Sequence, residues 1–472
     1  MTLLFHENII HCPKELILIA FRFTIFVFGF TITRSYSEKK ETFLLSSIIY
    51  MSLSKIFCAS EIGKLKKVIV HRPDNGISRI SPKDAAELLF DDIVYLPQMQ
   101  KEHDVFTDVL KAFMGEDNVL FVTDLLEQAL SADEIKKAEL IRMIVDYEEL
   151  PQSFGNIFTQ LDNSKLAEVL ITGYLEEDDH YFFDPIPNFI FTRDIAITVK
   201  DHVIIAKAAK EARYRENLLA RFIFWAHPLF QELQDEGRVI NLNWLESFPP
   251  SKKGEWVNLE GGDTMIFEND YLLVGHSERT TQHAIKSLAK VVLEKGLVKN
   301  VVQVNIPYDR ACMHIDTVFT RINHDHVVAY KPLIYDGISS NVEVYSLDGE
   351  PRIYPSLKDF ILAEVNPNMK FIFSGDGESP YQEREQWTDG CNLVALKPGV
   401  ALGYDRNPVT EKAFRDAGYD IIHACDFLEK YRAGSLDPNT LENTIIMLPS
   451  NELSRARGGS HCMTCPIERE SL

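Results

Sequence analysis

Residues 264–307 read TMIFENDYLLVGHSERTTQHAIKSLAKVVLEKGLVKNVVQVNIP. Two apolar runs flank the polar pair Asn269-Asp270, the pattern of a β-hairpin. A segment follows with Ile285, Leu288 and Val292 on one helical face and Gly296 as its stop signal. VVQVNIP then reads as another strand. The stretch is one strand–strand–helix–strand unit.

The same order of elements recurs. Asp194–Ala208 (DIAITVKDHVIIAKA) is a hairpin around Lys200-Asp201, followed by the helical RENLLARFIFWAHPLFQEL and the strand RVINLNW. Thr317–Pro332 turns at His324-Asp325 and leads to SLKDFILAEV and KFIFSG. Asn392–Asn407 turns at Pro398-Gly399 and leads to TEKAFRDAG and DIIHACDF. A partial copy opens the fold with KKVIVHRP, DVFTDVLKAFM and NVLFVTDLL, and it lacks one strand. The late segment NTIIMLPS is predicted to supply that strand and close a ring. Units that cannot bury a face alone must stack, and closure removes edge strands. The expected fold is therefore α/β: five strand–strand–helix–strand blades closed around a central site. Residues 124–181 are charged, helix-rich and without strand pattern, so an inserted helical subdomain is expected there. A lid, an oligomer contact or a packing appendage would each fit it.

Composition narrows the function. The 472 residues carry 45% hydrophobic and 25% charged side chains, as ordinary globular proteins do. A net charge of −21 argues against a nucleic-acid partner and is compatible with a cationic small substrate. Seven cysteines, at 12, 58, 312, 391, 425, 462 and 465, form no disulfide framework, and a reducing, cytoplasmic setting is expected. Glu15–Thr33 is apolar over nearly a membrane-spanning length, with Arg22 inside it. It reads as a signal anchor or as sequence upstream of a later start, since Met51 opens a clean domain beginning. The expectation is that residues 1–50 are an extension outside the catalytic fold, which covers 59–472 and needs no membrane.

Polar residues gather at the edges of the repeats. PNFIFTRD (187–194) precedes the first full hairpin, NLEGGD (258–263) the second and MHIDT (313–317) the third. GHSERT (275–280) follows the second hairpin, and RGGSHC (457–462) follows the last strand. Equivalent edges of a ring point to one place, so Asp194, Glu260, His314, Asp316 and Cys462 are expected together. His314 and Asp316 are two apart, so on a strand they would share a face. A cysteine near a histidine can act as a thiolate nucleophile with a proton shuttle. Carboxylates around it would raise the thiol pKa, unless the substrate is itself a cation. A guanidinium fits, because its fork of N–H donors matches carboxylates and its charge would favour the thiolate.

The strings SEIGKLKKVIVHRP, LLFDDIVYLPQMQKEHDVF, PNFIFTRD, LEGGD, VGHSERT, MHIDTVFT, EREQWTDGCN and RGGSHCMTCPI resemble the arginine deiminase family, over about Ser60 to Ile467. The resemblance implies a five-bladed ββαβ propeller (pentein fold) with a helical insertion, and hydrolysis of L-arginine to L-citrulline and ammonia. It implies Cys462 as nucleophile, His314 as proton donor and then base, and Glu260 as its partner. Asp194 and Asp316 would grip the guanidinium. Arg213 and Arg279 would hold the substrate carboxylate, and Asn188, Phe191 and Arg457 would line or close the pocket. Arg193 is expected to be structural, and Asp263 to hold the Gly-Gly turn. No cofactor or metal is implied, and a homo-oligomer is expected. Ala456 departs from a common glycine and Asn217 from a usual threonine.

Two other readings stand beside this one. Amidinotransfer or agmatine deimination would use the same fold, but agmatine has no carboxylate for Arg213 and Arg279 to read. A structural zinc or redox module at His461, Cys462 and Cys465 would need further ligands, and His423 and Cys425 offer only a loose second pair.

Overall fold

The structure is a computed structural model that describes residues 55–83, 85–268 and 270–472. The expectations for residues 1–50, including the apolar segment Glu15–Thr33, lie outside the described residues, as does Asn269. Among the described residues no helix is long and apolar enough to cross a membrane.

The opening stretch folds as read. Strands Thr264–Glu268 and Tyr271–His276 pair antiparallel, and Asn300–Asn305 pairs parallel with the second of them. Between them lies helix Gln282–Glu294. Its first turn is capped by Thr281 Oγ1, which accepts from Ala284 N at 3.2 Å, worth about 1 kcal/mol. Ile285, Leu288 and Val292 are buried, and Gly296 takes φ +68° just past the end. A helix returning the chain to a parallel strand is the βαβ connection.

Four further sheets likewise combine an antiparallel pair of strands with a parallel neighbour. We number the sheets I to V. Sheet II joins Ala196–Val199, His202–Ile205 and Val239–Asn241. Sheet III is the one just described. Sheet IV joins Phe319–Arg321, His326–Ala329 and Lys370–Phe373. Sheet V joins Val394–Lys397, Val400–Tyr404, Thr444–Leu448 and Asp420–His423. Sheet I joins Leu65–Val70 in parallel with Val119–Phe121 and antiparallel with Cys465–Arg469. Phe57 bridges to Glu468 of this sheet, and Cys58 bridges to Lys200 in the turn of the sheet II hairpin.

Two topological expectations are corrected. NTIIMLPS does not complete the partial copy: its strand Thr444–Leu448 lies inside sheet V, between Val400–Tyr404 and Asp420–His423. All five of its residues are buried, so an uninterrupted apolar run belongs in the middle of a sheet. The missing strand of sheet I is Cys465–Arg469, whose charged Glu468 and Arg469 disguised it. Sheet III also gains Val342–Ser346 and Arg352–Tyr354 on its far edge, which the sequence reading passed over. No sheet closes on itself among the described residues.

Helices Val122–Ala132, Glu134–Tyr147, Ser153–Gln160 and Asn163–Thr172 occupy most of the helix-rich run 124–181. Separate apolar clusters lie between neighbouring sheets. One gathers Val68, Phe106, Phe427 and Leu448 with Met463 and Cys462, so the C-terminal turn is anchored in core. Another packs Val274, Ile285 and Leu288 against Ile204 and Leu259.

Candidate active site

Each sheet presents a short irregular turn just before a hairpin or terminal strand, and these turns carry the chemistry. Asp194 ends a 3-10 turn two residues before sheet II begins. Glu260 caps the turn Gly261–Asp263 that enters sheet III. His314 caps the turn Ile315–Thr317 before sheet IV, and Asp316 lies within it. Asn392 stands two residues before sheet V, and Cys462 three before the Cys465–Arg469 strand of sheet I. His314 and Asp316 are thus not on a strand. A 3-10 turn, not a shared strand face, brings both inward.

Asp263 holds that turn. Its Oδ1 accepts from Ile315 N at 2.9 Å and its Oδ2 from Ser277 Oγ at 2.6 Å. Gly262 is required by proximity, since a Cβ there would lie 2.6 Å from His314 Nδ1. Gly458 and Gly459 answer a similar need. A side chain at Gly458 would strike the Phe191 ring, and one at Gly459 would lie 2.5 Å from Asn392 O. The left-handed turn itself falls on Arg457, at φ +63°. That conformation costs a non-glycine residue roughly 1–2 kcal/mol. The two glycines after it serve close approach.

A cavity of about 20 Å³, room for one water, lies among these turns. Of the ten predicted site residues, all but Glu260 and Asp316 line it. Leu89, Arg310 and Met313 line it too, and sequence reasoning missed them. Leu89, at φ +63°, belongs to a loop pinned from both sides. Asn188 Nδ2 donates to Leu88 O at 2.7 Å, and Arg310 pairs with Asp91 at 3.0 Å.

At one end of the cavity sits Cys462, 5% exposed. Its sulfur is 3.3 Å from Asp316 Oδ2 and 3.1 Å from Asn392 Nδ2. Burial first, and then the carboxylates of Asp316, Asp194 and Asp389, push the thiol well above its ordinary range. Behind it, His461 Nδ1 lies 2.9 Å from Asp316 Oδ2, and its Nε2 lies 3.2 Å from Glu61 Oε2. Burial would raise Asp316, but the bond and charge of His461, with His314 and Cys462, together outweigh it and the carboxyl is lowered. Asp316 Oδ1 is buried without a hydrogen-bond partner. Arg193 stacks this row from behind, 3.7 Å from Glu61 Oε2, with its backbone N donating to Cys462 O at 3.0 Å. Glu61 and His461 were missed as a pair, since 400 residues separate them.

The other side is built on His314, whose Nε2 is 2.9 Å from Glu260 Oε2. Burial alone would lower this imidazole. Asp194, the bond to Glu260 and the nearby Asp263 outweigh it and raise it from 6.5 to about 9. Arg213 and Arg279 each place Nη1 3.6 Å from Glu260 Oε2. Burial opposes that carboxylate's charge, but Arg279, His314 and Arg213 hold it below its ordinary range. Arg213 also bonds Asp194 Oδ2 at 2.5 Å, Glu216 Oε2 at 2.8 Å and Asn188 O at 3.2 Å. Arg457 stacks on Trp387, 3.3 Å from the ring centre; its Nε and Nη1 make no hydrogen bond, and Nη1 lies 3.8 Å from Asp91 Oδ2.

Asp194, Glu260 and His314 offer ligand atoms within 4.8 Å of one another. A divalent cation could use that geometry, but Arg213 and Arg279 already bring positive charge to it. The tail does not assemble as a metal or redox pair. Cys465 Sγ points away, donating to Ala196 O at 3.3 Å, and it joins no three-ligand cluster with His461 and Cys462 among the described residues.

The family model of arginine deiminase matches residues 86–469. The chain belongs to the arginine deiminase family. The arginine deiminase of Limosilactobacillus reuteri is 33% identical over 446 residues, covering 89% of this chain and 99% of that one. That of Limosilactobacillus fermentum is 33% identical over 449 residues, covering 89% and 100%. Among solved structures, the DDAH from Pseudomonas aeruginosa, a cysteine-to-serine mutant complexed with citrulline, superposes with TM-score 0.45 and 12% identity. It covers 85% of this chain and 99% of its own. The N-terminal domain of ArgZ, an arginine dihydrolase from cyanobacteria, gives TM-score 0.46 and 13% identity, covering 85% and 97%. At that distance the likeness fixes no detail, and the family assignment rests on the sequence matches.

Proposed function

We propose that this chain is a hydrolase acting on the C–N bonds of a linear amidine, converting L-arginine to L-citrulline and ammonia. The observation that carries the reading is one cavity with two kinds of lining, in a chain of this family. Cys462, His314 and Asp194 stand at the reacting end, and Arg213, Arg279 and Arg457 supply cations for a carboxylate.

The chemistry follows from the charges. An arriving guanidinium would meet Asp194 and the unpartnered Asp316 Oδ1, and its charge would offset the carboxylates that suppress the thiolate. The thiol proton points at Asp316, which can take it. Sulfur then attacks the guanidinium carbon. His314, protonated below about pH 9, gives its proton to the departing nitrogen, and ammonia leaves a thiouronium on Cys462. Neutral His314 next takes a proton from water. The hydroxide adds to the carbon, and the C–S bond breaks with its electron pair returning to sulfur. The added hydroxyl releases its proton to solvent, where ammonia takes it up, as the C=O of citrulline forms. The proton held by Asp316 goes back to Cys462, and citrulline departs. Glu260 orients His314 and balances its charge. With a cavity of about 20 Å³, the Leu88–Leu89 loop and Arg213 would have to give way for substrate. Arg213 would trade Asp194 for the substrate carboxylate.

We also read the five sheets as blades of one ring, with 124–181 inserted between sheets I and II. Sheet I supports this, because it pairs the first strand of the fold with the last. The substrate assignment is tested by assaying citrulline from arginine beside turnover of agmatine. Arginine alone should be turned over, and Arg279→Leu should raise its KM. Equal use of agmatine would overturn the assignment.

A further inference from the structure

Five turns lead into five sheets, and the role of one is unassigned. Asp194, Glu260, Asp316 and Cys462 stand at the entries to sheets II, III, IV and I. The entry to sheet V is held by Asn392, 1% exposed, in the stretch TDGCN. Its position in the repeat matches theirs, and its side chain reaches the reacting sulfur.

The amide of Asn392 has every group committed. Nδ2 donates to Cys462 Sγ at 3.1 Å and to Asp316 O at 3.0 Å, and Oδ1 accepts from Cys462 N at 3.1 Å. These contacts fix which end is nitrogen. The backbone N–H of Cys462 can only donate, so oxygen must face it, and the Asp316 carbonyl can only accept, so nitrogen must face that. The sulfur therefore has two neighbours of opposite character. Asp316 Oδ2, at 3.3 Å, can accept from the thiol but repels the thiolate. Asn392 donates to sulfur in either state and more strongly to the anion.

We propose that Asn392 is a catalytic residue of the reaction described above: its amide N–H is the protein's donor to the Cys462 thiolate. The proposal rests on Cys462 being the nucleophile of that reading. The donor acts twice in the cycle. It stabilises sulfur as the proton leaves, before the S–C bond forms, and again when that bond breaks and the electron pair returns to sulfur. No proton is transferred to or from Asn392, so it enters and leaves each step unchanged. Acidic side chains surround the nucleophile to grip a cation, so a neutral donor favours the thiolate without repelling the substrate.

The test separates donating to sulfur from merely holding the loop. Asn392→Asp keeps an oxygen for Cys462 N and loses the donor. Asn392→Ser loses that fit but keeps a hydroxyl that can donate, and it adds no charge. The readouts are kcat and KM for arginine, and the pH dependence of iodoacetamide labelling at Cys462, resolved from exposed Cys425 by peptide mass spectrometry. A charge-assisted hydrogen bond to sulfur predicts a loss of about 10- to 100-fold in kcat for Asn392→Asp, with KM within about twofold. Labelling of Cys462 should shift to higher pH, and Asn392→Ser should retain more of both. Wild-type kcat and labelling in Asn392→Asp, or a ranking with Asn392→Ser the poorer, would overturn the proposal. If Asn392→Asp does not fold, Asn392→Ser against wild type decides: an unshifted labelling profile and a collapsed KM would mark a scaffold residue. If wild type labels normally, with a profile dependent on residue 392, yet makes no citrulline, the arginine reading fails and the sulfur donor stands.

Discussion

Two buried histidines in this molecule sit between carboxylates, and they face opposite ways. His314 bonds Glu260 at 2.9 Å and presents its other edge to the cavity, 3.9 Å from Asp194. His461 has both ring nitrogens committed, to Asp316 and to Glu61, and lies behind the nucleophile, away from the cavity. The same residue type in nearly the same charge setting can therefore do two jobs. A ring with a free edge at the substrate can pass a proton. A ring tied at both nitrogens can only orient what it touches, here the carboxylate that faces sulfur.

The predictions sharpen or break that contrast. Replacing Cys462 with Ala should remove about 10⁴-fold or more of the activity, the scale for losing a nucleophile. Citrulline formation in that variant at anything near the wild-type rate would end the account. His314→Gln should cost about 10²- to 10⁴-fold in kcat, as general acid–base catalysis does. His461→Gln should cost much less in kcat, about 10-fold, through misplacement of Asp316. Equal losses in the two histidine variants would erase the distinction drawn here. Arg279→Leu should raise KM for arginine about 10- to 100-fold, the worth of a charge-assisted hydrogen bond to the carboxylate.

The pH profile offers a subtler check. His314 is raised from 6.5 to about 9, so its favourable contribution to stability is complete below 6.5 and is lost as pH rises through 9. The proton it gives to ammonia disappears over the same range. Both kcat/KM and Tm should therefore fall on the alkaline side near pH 9, and the fall in Tm should be absent from His314→Gln. Glu61 works in the opposite direction. Burial would raise it, but Arg193 and His461 outweigh that and lower it from 4.5 to about 2. Its contribution is present above 4.5 and is lost as pH falls through 2, so Glu61→Gln should weaken the acid dependence of unfolding. The smallest effect should come from Cys465→Ala, with activity within about twofold of wild type, because that thiol only fills core and meets Ala196 O.

The repeat was legible because hairpin and helix patterns are local. Ile285, Leu288 and Val292 announce one helical face, and Gly296 its end. Which strand completes which sheet was less legible. Thr444–Leu448 and Cys465–Arg469 compete for one place, and the more apolar was chosen although it belongs in the middle of sheet V. The candidate site was readable where polar residues cluster in short motifs, as with Glu260 in LEGGD and His314 in MHIDT. Asn392 and Glu61 carry no such signal. An isolated Asn in DGCN and a Glu in SEIG become informative only when the fold sets them beside Cys462 and His461. Arg457 shows the converse. Its motif is visible in RGGSHC, but that Arg457 takes the left-handed turn is not, nor is what Phe191 and Asn392 forbid at the two glycines after it.

The central claim is that one sulfur, Cys462, carries the reaction through a covalent intermediate. Rapid acid quench of the full chain during turnover of arginine, followed by peptide mass spectrometry, tests it directly. The account predicts an adduct of arginine less ammonia on the peptide position of Cys462, rising before citrulline and decaying as arginine is exhausted. Citrulline appearing with no adduct, or with the adduct on Cys465, would contradict it.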